Sequence, residues 1–78
     1  MIDPDQIKGW IEGGLPCERV EVRGDGHHFE AVIVSDAFKG KSRVQQHQLV
    51  YAALGNRMRA EIHALSMQTY TPEDWARR

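Results

Sequence analysis

The sequence holds a single cysteine, Cys17, so no internal disulfide and no cysteine-only metal site can form. A small chain without disulfides fits a reducing compartment, and the cytoplasm is the expected location. No apolar run approaches the ~20 residues needed to cross a bilayer, so no membrane role is expected. The opening "MIDPDQ" lacks the positive region and apolar core of a secretory signal. Acidic residues are absent between Ala37 and Ala60, the window that contains Lys39, Lys41, Arg43, Arg57 and Arg59. All eleven acids lie outside it, so a formal net charge of -1 conceals a basic middle.

Catalytic signatures are missing too. There is no CxxC, HExxH or EF-hand loop, and the glycines form no phosphate-binding fingerprint. Cys17 adjoins Pro16 at a strand start, and Ser42 is better placed as a helix cap than as a nucleophile. At 78 residues the chain reads as one domain, 1–78. A domain this small buries only about 60% of its unfolded surface. Its 41% hydrophobic residues suffice for one small core, but not for the several packed walls of a ligand pocket. The expectation is a protein that is not an enzyme.

What is present is a clear succession of local patterns. Asp3 precedes Pro4 at a first-turn position, and Ile7, Trp10, Ile11 and Leu15 follow at helical spacing until Gly13, Gly14 and Pro16 end the run. Val20 and Val22 alternate with Arg19, Glu21 and Arg23, "GDG" supplies turn residues, and "HHFEAVIVS" resumes a β-branched run. Residues 18–35 therefore read as a hairpin. "DAFKG" reads as a loop. Ser42 with Gln45 forms a capping-box signature for a helix running to about Leu54, with an apolar stripe of Val44, Val50, Tyr51 and Leu54. "RMRAE" is expected to add a further helical turn before a strand that carries His63. Thr71 and Pro72 open a final helix. The predicted fold is α+β, a compact α–β–β–α–β–α order with a three-stranded mixed sheet and helices on one face.

Four histidines stand out. His47 falls within the stripe of the second helix and reads as a core-edge residue hydrogen-bonded to backbone. His27 and His28 sit where the hairpin turn meets its second strand; their side chains diverge, so they cannot readily chelate one metal together. His63, in a regular strand, would share a face with Leu65 and Met67. No metal-ligand spacing surrounds it, so pattern alone makes it a structural residue.

Larger motifs change that reading. "SDAFKGKSRVQQHQLVYAAL" followed by "IHALSMQTYTPEDW", together with the "GDGHHF" turn, closely resembles the BolA family, and especially its short bacterial branch. The resemblance covers nearly the whole chain. It implies a fold similar to the class II KH fold and a partner, a monothiol glutaredoxin. Heterodimers of this kind share a two-iron, two-sulfur cluster, with glutaredoxin cysteine and glutathione thiol supplying part of the coordination. The family's C-terminal signature histidine matches His63. A second ligand comes in some members from a cysteine or histidine in the first hairpin loop. Here that loop, "GDGHH", has no cysteine, so the resemblance points to His27, nearer the apex, with His28 the alternative.

Imidazole is a borderline ligand that suits iron. In place of thiolate it reduces negative charge and raises the reduction potential. It also makes binding sensitive to acid, because a protonated ring cannot ligate. The rival expectation, also attributed to parts of this family, is a DNA-binding transcriptional regulator of stress or morphology. Lys39, Gly40, Lys41 and Arg43, at the start of the central helix, would then meet phosphates; the same residues could instead form a partner interface. The sequence leaves the isolated chain as a monomer or a weak homodimer.

Overall fold

The computed structural model describes residues 2–78. Helix α1 (Pro4–Gly14) starts with a full capping box: the Asp3 side chain accepts from backbone N–H groups in the first turn, and the Gln6 side chain accepts from Asp3 N at 2.8 Å. Strands β1 (Arg19–Gly24) and β2 (Phe29–Val34) form an antiparallel hairpin. A 3-10 turn over Asp36–Phe38 leads to helix α2 (Arg43–Leu54), whose Ser42–Gln45 capping box is formed as expected. Strand β3 (Leu65–Tyr70) pairs parallel to β2, and helix α3 (Pro72–Arg77) follows with Thr71 as its cap. The sheet order is β1-β2-β3, mixed as the sequence implied.

The core lies between one sheet face and helices α1 and α2. Ile7 and Ile11 of α1, Phe29, Ala31 and Ile33 of β2, and Val50, Ala53 and Leu54 of α2 are all buried there. Two further members come from segments that form neither α-helix nor strand. Phe38 closes the 3-10 turn and Met58 sits in the run of turns after α2, and both are almost wholly buried. Ser35 is the one buried polar residue among those described; its hydroxyl donates to the Pro16 carbonyl at 2.5 Å and accepts from Ala37 N. A short β2–turn junction is thereby fixed without an unsatisfied group.

Several expectations are corrected. In α2, Val44 is 66% exposed and Tyr51 42%. At about 100° per residue, both lie roughly 100–120° around the helix from Val50, which is the centre of the inward face. Leu49, Val50, Ala53 and Leu54 are turned toward α1 and the sheet instead. The segment 55–61 forms consecutive turns rather than a continuation of helix. Helix α3 does not share the face of α1 and α2. Arg19, Val34 and Tyr70 are cross-strand neighbours on the opposite face, and Trp75 lies against them, with its ring 5.2 Å edge-on from that of Tyr70 and under the Arg19 guanidinium.

His47 also departs from its expected role. Its Nε2 is buried but has no hydrogen-bond partner among the described residues. Burial, then the Arg43 charge, holds its pKa below the ordinary histidine value. The unfolded chain therefore takes up a proton near its ordinary pKa of 6.5 that the native chain refuses, so this residue makes stability fall as pH drops below about 6.5 and until the folded pKa is reached. His47→Gln is expected to flatten that part of the profile, read as urea midpoints between pH 7.5 and 5; an unchanged slope would contradict the assignment.

Candidate functional site

The hairpin loop is shaped by one carboxylate. Asp25 Oδ1 accepts from His27 N at 2.8 Å and from His28 N at 2.9 Å, and Asp25 N donates to the His28 carbonyl at 3.2 Å. This is the local turn that aspartate favours. Gly26, with φ 93, occupies a conformation costly for other residues. Gly24 is required for a different reason: a Cβ there would collide with the His28 carbonyl and stand 2.6 Å from the Phe29 ring. The backbone of the loop is thus tied down while both imidazoles remain exposed. Hydrogen bonds from the backbone of His27, then of His28, hold the Asp25 carboxyl below the usual carboxylate range. Asp25→Ala is expected to speed amide exchange of His27 and His28 roughly tenfold. Asp25→Asn, which keeps an accepting oxygen, is expected to stay close to the parent. Equal exchange in parent and alanine variant would show that the loop is held otherwise.

His63 does not lie in the strand. It is the middle residue of a 3-10 turn, Ile62–Ala64, closed by Ala64 N donating to Glu61 O at 2.9 Å and by Leu65 N donating to Ile62 O. The alternation with Leu65 and Met67 expected for a regular strand is broken, and the ring is exposed where Leu65 is buried. Beside it is an open hollow of about 430 Å³ lined by Tyr51, Gly55, Met58, Arg59, Ile62 and His63. The outward turn of Tyr51 therefore places an aromatic ring next to the histidine.

The sheet register relates the two histidine segments. Phe29 and Leu65 are the first partners of the parallel β2–β3 pair. His28 directly precedes one and His63 lies two residues before the other, so the hairpin loop and the 3-10 turn occupy the same end of the sheet. Neither Asp25 nor the Tyr51–Arg59 flank was singled out in the sequence. Asp25 carried a readable signal, an aspartate two residues before an exposed polar residue in a glycine turn; Tyr51 did not.

Lys39, Gly40 and Lys41 lie at the other end, between β2 and α2, and Arg43 is the first residue of α2. They are not brought to His27, His28 or His63; Arg43 is beside His47 instead. Lys39 Nζ stands 3.1 Å from both Asp36 Oδ1 and Glu73 Oε2. Hydrogen bonds to Glu73, then Asp36, push its pKa up. Its charge is largely answered within the chain, whereas Lys41 and Arg43 have no carboxylate partner among the described residues.

Among the described residues no helix is long and apolar enough to cross a membrane. Residues 15–74 match the family described as BolA-like protein. The chain is similar to the acid stress protein IbaG of Escherichia coli K12, 38% identical over 77 residues that cover 97% of this chain and 92% of that one. It is also similar to the DNA-binding transcriptional regulator BolA of Haemophilus influenzae, 45% identical over 53 residues, covering 68% of this chain and 52% of that protein. A solved structure of a BolA homologue from Coxiella burnetii superposes with a TM-score of 0.86 at 49% identity, covering 97% of this chain and 99% of the other.

Proposed function

Since the chain belongs to the BolA-like family, we propose that it is a non-enzymatic partner of a monothiol glutaredoxin, and that the two share a two-iron, two-sulfur cluster completed by glutathione. The observation that carries this reading is the parallel pairing begun at Phe29 and Leu65, which gathers His63 and the His27–His28 loop at one exposed end of the sheet. The donor set fits. Among the described residues no cluster of three or more His, Cys, Asp or Glu side chains forms a metal site of its own; exposed imidazoles here supply one side of a shell whose remainder comes from the partner. His63 is the first ligand, and His27 the second, with His28 as its alternative. When bound, the cluster supplies one-electron redox chemistry at a potential raised by imidazole ligation. The apolar shelf of Tyr51 and Ile62 gives the partner something to bury, with Arg59 at its rim.

The expected setting is cytoplasmic iron–sulfur trafficking or iron and stress regulation, and the likeness to an acid stress protein supports the latter. The test mixes this protein with a monothiol glutaredoxin, glutathione, ferrous iron and sulfide, and records visible circular dichroism. A spectrum distinct from that of the glutaredoxin alone, co-eluting with a heterodimer, is expected. A spectrum unchanged by the added chain would overturn the proposal.

The second reading, a DNA-binding regulator, is favoured by Lys41 and Arg43, which stand before and at the start of α2 with no carboxylate partner among the described residues, and by the likeness to a protein named as such. With Lys39 engaged by two acids, few cations remain, and the phosphate contribution to affinity is correspondingly small. Binding that is absent at low salt, or unaffected by replacing Lys41 and Arg43, would exclude it.

A further inference from the structure

The two edges of the sheet are not alike. The β1 edge carries Arg19, Glu21 and Arg23, charges of the sort that blunt a strand edge against further pairing. The β3 edge, "LSMQTY", has no charge, no proline and an unbroken register over its length. Backbone groups of successive strand residues alternate in direction. The Tyr70 carbonyl accepts from Ser35 N on the β2 side, while Leu65 N turns away from β2 to Ile62 O. The N–H and C=O groups of Met67 and Thr69 therefore face outward, and no partner for them is present among the described residues. They offer roughly 7 Å of free strand edge.

Alongside this edge runs a hollow of about 370 Å³ between β3 and the N-terminal half of α2, lined by Arg43, His47 and residues Met67 to Tyr70. Two of its features point to an occupant. His47 contributes a buried ring nitrogen that has no hydrogen-bond partner among the described residues. Arg43 contributes a cation without a carboxylate partner among the described residues, on a helix that has no acidic residue.

We propose that the β3 edge is a docking site for an extended, acidic peptide segment of a partner protein, which pairs with Met67 and Thr69 as an added strand and sets a carboxylate against Arg43. Recognition of this kind takes affinity from main-chain hydrogen bonds and specificity from the flanking groove. Charge selects among the other occupants. A second copy of this chain would bring its own acid-free α2 and a second Arg43. Single-stranded nucleic acid lies along such edges by stacking on aromatic platforms, but the Tyr70 ring is packed edge-on to Trp75. This site stands apart from the histidine end and does not depend on the cluster.

The test selects a phage-displayed library of random heptapeptides against the full chain, then titrates a synthetic peptide of the enriched sequence into ¹⁵N-labelled protein. Expected are sequences rich in β-branched residues with an Asp or Glu, and amide exchange at Met67 and Thr69 slowed at least tenfold. Arg43→Glu, an exposed substitution whose fold the same spectra verify, is expected to weaken binding about tenfold or more, as is Lys in place of the peptide acid. The proposal is overturned if no sequence is enriched, or if the bound peptide leaves both amides unprotected. Protection of those amides by self-association without peptide, or by an oligothymidylate probe in preference to the peptide, also overturns it.

Discussion

Phe38→Ala is expected to lower stability by about 3–5 kcal/mol, the range for removing a fully buried aromatic ring. Phe38 is wholly inaccessible, although it comes from a stretch, "DAFKG", whose composition reads as loop. The ring is held where the chain leaves β2 for α2, and its carbonyl accepts from Lys41 N at 3.2 Å and from the Gln46 side chain at 3.3 Å. Gln46 also accepts from the Thr69 hydroxyl at 2.7 Å, so the same short segment ties α2 to β3. Domains of this size have a total stability of about 5–15 kcal/mol. Each kcal/mol lost shifts Tm by about 4–8 °C, so the variant is expected to melt far below the parent or to be partly unfolded at 25 °C. Phe38→Leu, which refills most of the space, is expected to lose much less. A change below about 1 kcal/mol in urea unfolding of the alanine variant would show that the ring is not the keystone its burial indicates.

The second large effect concerns chemistry rather than folding. His63→Ala should leave stability within about 0.5 kcal/mol of the parent, because the residue is exposed and its ring makes no hydrogen bond among those described. The same change is expected to abolish the heterodimer-specific cluster spectrum, with a loss of cluster affinity exceeding the 10–100-fold typical of removing a group that merely hydrogen-bonds to a ligand. His63→Cys is expected to restore a cluster, at a lower reduction potential, since thiolate adds negative charge that imidazole does not. A merely structural histidine would give neither the loss nor the shifted potential. Parent-like spectra from His63→Ala would remove it from the ligand set.

The legible parts of this fold are those decided by nearby residues. Asp3 with Pro4, Ser42 with Gln45, and Thr71 with Pro72 announce helix starts because capping is local. The hairpin was readable from alternation on both sides of a glycine turn. The family motifs likewise led to the family that the comparison shows. What escaped was set at a distance. Ile62–Ala64 has strand-like residues, but β2 begins at Phe29, so parallel pairing can begin only at Leu65. Val44 and Tyr51 fit one helical stripe; the position of α1 and the sheet selected another. The face taken by α3 depended on Trp75 meeting Tyr70 across the end of β3. At the candidate site, the histidines were visible as residue types, while their shared end of the sheet was a property of register alone.

The ligation itself is most directly tested by pulsed EPR on the reduced heterodimer, with ¹⁵N-histidine incorporated only in this chain and the glutaredoxin unlabelled. Strong ¹⁵N couplings from directly bound imidazole are expected in the parent, with the His63 coupling missing in any cluster that the His63→Ala variant retains. A cluster from the parent chain with no histidine ¹⁵N coupling would contradict the account, because neither His63 nor the hairpin histidines would then touch iron.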